Sequence, residues 1–121
     1  MWQIIYNGQC SKARAAKAYL DEKGVEYTLF DYLETPLTPA MIKGWLSRLG
    51  LGVDGIIRMK EDAFKAVSQD WFVMSEDEKI QFLIENPIVI ERPIVIYDDY
   101  AVIARPDTSS IDHLLAKAWK K

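Results

Sequence analysis

The opening stretch WQIIYNGQCSKARAAKAYLDEKGVEYTLFDY constrains the fold more than anything after it, because it sets two apolar runs on either side of one helix-forming segment. Trp2 to Tyr6 reads as a short buried strand. Ser11 to Lys23 reads as a helix with Gly24 suited to its C-cap. VEYTLFDY alternates Val25, Tyr27 and Leu29 against Glu26 and Thr28 and reads as a second strand. Strand, helix, strand in this order points to a parallel βαβ unit, whose crossover is right-handed in nearly all known cases.

The middle of the chain changes character. After LETPLTP, Thr38 is placed to cap a helix with Pro39 at its first position, and Met41, Ile42, Trp45, Leu46 and Leu49 recur at helical spacing. GVDGIIRMKEDAFKAV reads as short helical pieces broken by glycines. Ser75 with Glu78 three residues on is a capping box, opening a helix that runs to about Asn86. Strand patterns return in RPIVIYDDYAVIA, where Ile94 to Tyr97 and Tyr100 to Ala104 flank Asp98-Asp99 at hairpin spacing. An amphipathic helix follows RPDTSS, with Ile111, Leu114, Leu115 and Ala118 on one face. The expected fold is α/β, a thioredoxin-like mixed sheet in the order βαβ, helices, ββα. It forms a single domain over residues 1–121 with a helical insertion at about 36–87.

The single cysteine, Cys10, stands between the first strand and the first helix. The first N–H groups of a helix lack intrahelical partners and carry the positive end of the helix dipole. They favour a thiolate over a thiol, and Lys12 and Arg14 add cationic charge nearby. The same amides suit an oxyanion beside the sulfur. Five arginines are present, and three stand where sheet ends and connections are expected: Arg58 in GIIR, Arg92 in ERPIV and Arg105 in ARPDT. The planar fork of a guanidinium matches a tetrahedral oxyanion in a way that an ammonium does not.

YNGQCSKAR, YLETP, GIIR, NPIVIERPIV and ARP together resemble, in order and spacing, the glutaredoxin-coupled arsenate reductase family (ArsC-like), from Ile4 to about Leu115. The resemblance implies that Cys10 attacks arsenate while Arg58, Arg92 and Arg105 hold the oxyanion and its covalent adduct. Asn7, Ser11, Lys12, Arg14 and Pro93 are the supporting residues, and a cis peptide bond is expected before Pro93. The resemblance also implies glutathione as external thiol and glutaredoxin as partner, and no bound cofactor is expected. Two positions depart from the pattern. The family's histidine four residues before the cysteine is Tyr6 here, and its proline two before is Gly8. A thiol-sensing or partner-binding regulatory protein of the same group is the alternative, and RNA polymerase is a partner only on that reading.

Other chemistries fit the sequence less well. Ala16 occupies the position where phosphatase-like arsenate reductases need an arginine, and Ala13 stands where a C-x-x-C pair would have its second thiol. One cysteine and one histidine do not make a zinc site, so no metal is expected. His113 falls within the terminal helix pattern and reads as a surface or boundary residue. Asp98-Asp99 reads as a turn and Glu76-Asp77-Glu78 as a helix start. Trp45, Trp71 and Trp119 read as core or boundary residues. A net charge of −3 argues against general binding to nucleic acid or an anionic membrane. With no signal-peptide pattern and no apolar run near the ~20 residues of a membrane span, a cytoplasmic protein is expected.

Overall fold

The computed structural model describes residues 1–6, 11–104 and 108–119, and of 11–13 and 119 the backbone alone. Two compact units emerge, one formed by Met1–Thr35 with Arg92–Lys121 and the other by Pro36–Glu91.

The first unit is a four-stranded mixed sheet. β1 (Trp2–Tyr6), β2 (Tyr27–Asp31), β3 (Ile94–Tyr97) and β4 (Tyr100–Ile103) lie in the order β2-β1-β3-β4. β1 pairs parallel with β2 across the helix α1 (Ser11–Glu22), so the opening βαβ unit forms as its sequence requires. Gly24 takes a φ of 70°, a left-handed conformation that a side chain disfavours, and ends the helix. β3 is antiparallel to both β1 and β4, and Asp98 takes a φ of 51° in the hairpin turn.

One face of the sheet is covered by α1 and by α6 (Ile111–Trp119). Trp2, Ile4 and Val95 pack there with Ala16, Leu20, Ile111, Leu114 and Leu115. His113 is exposed on α6, as its place in the helix pattern requires. The strand read over VEYTLFDY is shorter than its pattern, and Leu29 is 43% exposed. β2 is one of the two edge strands, so its residues meet a neighbouring strand on one side alone.

The second unit is helical. α2 (Pro39–Leu49) begins as its sequence dictates: Thr38 Oγ1 accepts from Met41 N–H at 3.2 Å, Pro39 opens the first turn, and Gly50 closes the helix at a φ of 70°. Ile42, Trp45 and Leu46 are its buried stripe. After the 3-10 turn Val53–Ile56 come two single-turn helices, α3 (Asp62–Lys65) and α4 (Ser68–Trp71). α5 (Glu76–Glu85) carries the full capping box, Ser75 and Glu78 each bonding the other's backbone N–H. Trp71 is fully buried, with Phe64 and Phe82 packed edge-on against it at ring separations of 5.3 and 5.8 Å. Among the described residues no helix is long and apolar enough to cross a membrane.

Candidate active site

In the sheet unit, three segments reach the same end of the sheet. β1 leaves it at Tyr6, β3 enters it at Ile94 and β4 leaves it at Ile103, with Ile5 paired to Ile94 and Ile94 to Ile103. Ala104 N–H donates to the Pro93 carbonyl at 3.0 Å, extending the β3–β4 ladder by one step. Arg92 and Pro93 thus enter β3 at the sheet end where β1 runs out, four residues before Cys10 in the sequence. The Arg92–Pro93 peptide bond is cis, the isomer the sequence led us to expect.

Arg92 is the one buried polar or charged residue among those described, at 7% exposure. Burying a guanidinium is costly, so such a position is held by what surrounds it or by what it binds. Cys10, Asn7 and Arg105 lie outside the described residues, and so do the side chains of Ser11 and Lys12, whose backbone opens α1. Arg14 is exposed on that helix. Tyr6, in the family histidine's place, is half-buried against the aliphatic core, and its carbonyl accepts from Tyr32 N–H at 3.3 Å.

Arg58 belongs to the helical unit. Its backbone is tied on both sides: its N–H donates to the Val89 carbonyl at 2.6 Å, and its carbonyl accepts from Glu61 N–H at 3.1 Å. Nη1 lies 3.2 Å from Glu61 Oε1, an ion pair about a quarter exposed at each partner. Ile57 and Ile90 form an isolated antiparallel bridge, completed by Glu91 N–H donating to the Ile56 carbonyl at 2.7 Å. Glu61 did not stand out in the sequence, although its i, i+3 spacing from Arg58 was the signal available.

Asp54 was also missed. Its Oδ1 accepts from Trp71 Nε1 at 2.7 Å and from Lys79 Nζ at 3.1 Å. The indole hydrogen bond, aided by the Lys79 ammonium, holds its carboxyl below the usual carboxylate range, against the opposing pull of partial burial. Two open clefts, of about 470 Å³ beside Asp54 and Lys79 and about 260 Å³ beside Trp2 and Tyr27, are not lined by Arg14, Arg58 or Arg92.

A mixed four-stranded sheet with a helix after its first strand, and an Arg-cis-Pro step entering β3, defines a thioredoxin-like α/β protein. The chain belongs to the ArsC family, whose model matches residues 5–111. It is 33% identical over 105 residues to an arsenate reductase of Neisseria meningitidis serogroup A, covering 86% of this chain and 90% of that one. It is 38% identical over 105 residues to the uncharacterized protein YfgD of Escherichia coli strain K12, covering 86% and 88%. The solved arsenate reductase from Vibrio cholerae superposes with a TM-score of 0.85 at 31% identity, over 92% of this chain and 95% of that one.

Proposed function

We propose that the protein is a thiol-dependent oxyanion reductase acting on arsenate, with Cys10 as nucleophile and Arg58, Arg92 and Arg105 as the oxyanion-binding residues. The observation that carries the reading is the buried guanidinium of Arg92, at the sheet end where the strand leading to Cys10 runs out. A cationic fork in a low-dielectric setting favours an anionic ligand far more than the same group in water does. The named relatives support arsenate as that anion.

On this reading Cys10 Sγ forms a bond to arsenic(V), and one arsenate oxygen leaves as water. A glutathione thiol then attacks, and the two sulfurs become a Cys10–glutathione disulfide as arsenic(V) takes up two electrons and departs as arsenite. Glutaredoxin, with a further glutathione, returns Cys10 to the thiol. Lys12, Arg14 and the α1 amides favour the thiolate, and Asn7, Ser11 and Pro93 are the supporting residues.

The test is arsenite production from arsenate with glutathione and glutaredoxin supplied. Wild-type protein should turn over, and Cys10→Ser should not. Tyr6 favours a second reading, a thiol-sensing or partner-binding role in the cytoplasm, because it stands where the family carries a histidine. Arsenate binding without arsenite release, in wild type and in Tyr6→His alike, would select that role.

A further inference from the structure

The segment from Gly52 to Arg58 has little regular structure to hold it. Apart from the Ile57–Ile90 bridge at its end, its one element is the 3-10 turn Val53–Ile56, and such short turns depend on their surroundings. Asp54, in the first turn, supplies the tie. One carboxylate oxygen takes both the buried Trp71 indole N–H and the Lys79 ammonium. Lys79 Nζ also sits 5.0 Å from the centre of the Trp71 ring, and the lysine side chain is only 14% exposed. Asp54 therefore joins the turn to α4 and α5 at once.

From Asp54 the chain has no slack before the arginine. A side chain at Gly55 would meet Leu51 Cβ at 3.0 Å. Ile56 and Ile57 are buried, the Ile56 carbonyl is bonded to Glu91, and Arg58 is bonded through both its N–H and its carbonyl. An apolar residue at position 54 would leave the buried Trp71 N–H without this acceptor and would fix no direction, whereas a shared carboxylate oxygen fixes the turn relative to two helices. We propose that Asp54, held by Trp71 and Lys79, is a positioning residue that sets the backbone of Arg58 and so the presentation of its guanidinium to an oxyanion. The inference rests on Arg58 being an oxyanion-binding residue.

The experiment is calorimetric titration of arsenate into the full chain and its variants, with melting temperatures recorded alongside. Asp54→Ala should weaken arsenate binding by about three- to tenfold, less than the full worth of a charge-assisted hydrogen bond because Asp54 acts on the anion only through Arg58. Lys79→Met and Asp54→Asn should weaken it less, each removing one part of the arrangement, and both keep the test available if Asp54→Ala fails to fold. Asp54→Ala should add nothing in an Arg58→Ala background, because the two changes act through one group. If Asp54→Ala lowers the melting temperature while arsenate affinity holds, or weakens binding equally with Arg58 already removed, the residue is structural and the proposal is overturned. If Arg58→Ala binds arsenate like wild type, the role of Arg58 falls and the proposal falls with it.

Discussion

The buried residues of the sheet unit come from both ends of the chain: Trp2 and Ile4 from β1, Ala16 and Leu20 from α1, Val95 from β3, and Ile111, Leu114 and Leu115 from α6. No single side chain dominates this core, and α1 is tied to α6 from outside by Tyr19, whose hydroxyl donates to Asp112. In Pro36–Glu91 the pattern reverses. Contiguous sequence folds on itself, its longer helices start at complete local caps, and one tryptophan meets Phe64, Phe82, Lys79 and Asp54 together. Trimming one side chain of a core shared among many removes one set of contacts, while trimming the hub of a core organised on one aromatic removes contacts to several elements at once.

The largest expected effect falls on that hub. Trp71→Ala should cost about 3–5 kcal/mol in urea denaturation, with amide exchange rising across Pro36–Glu91 before it rises in β1 and β3. Equal and simultaneous loss of protection in both units would break the contrast. Next comes the cap. Ser75→Ala should cost about 1 kcal/mol, since it orphans an N–H that Glu78 now donates to the serine hydroxyl.

The smallest effects distinguish the units by pH. Asp112 bonds the Tyr19 hydroxyl and raises its pKa above the ordinary phenol value, so the clasp stabilises the fold below pH ~10 and is lost as pH rises through the folded value. Asp54 is shifted downward, so its contribution is present above pH ~4 and is lost as pH falls through the folded value. Melting temperatures should therefore show Tyr19→Phe converging on wild type at high pH and Asp54→Asn converging at low pH. A difference constant across the whole range would remove the electrostatic account of either contact.

Legibility in the sequence followed the same divide between local and distant causes. Thr38-Pro39, Ser75 with Glu78, and Asp98-Asp99 each announce an element within four residues, and all three formed as read. The four-residue helices α3 and α4 were harder to place, because a single turn is held by what packs on it, here Phe64 and Trp71, and not by its own propensity. At the site, Cys10 and the Arg105-Pro106 pair lie outside the described residues, whereas the Arg92-Pro93 step was visible as a pattern. The burial of Arg92 was not, since an arginine in isolation reads as surface charge and only the sheet end decides otherwise. Asp54 and Lys79 are 25 residues apart and share no periodicity that could join them on paper.

The strand order has a consequence for how the chain is made. β1 lies between β2 and β3, yet β3 begins at Ile94, after the whole of Pro36–Glu91. During synthesis the helical segment can emerge and pack while β1 still offers an open edge, its antiparallel partner not yet translated. A nascent chain paused before Ile94 therefore exposes the strand that leads to Cys10 as an unpaired β edge.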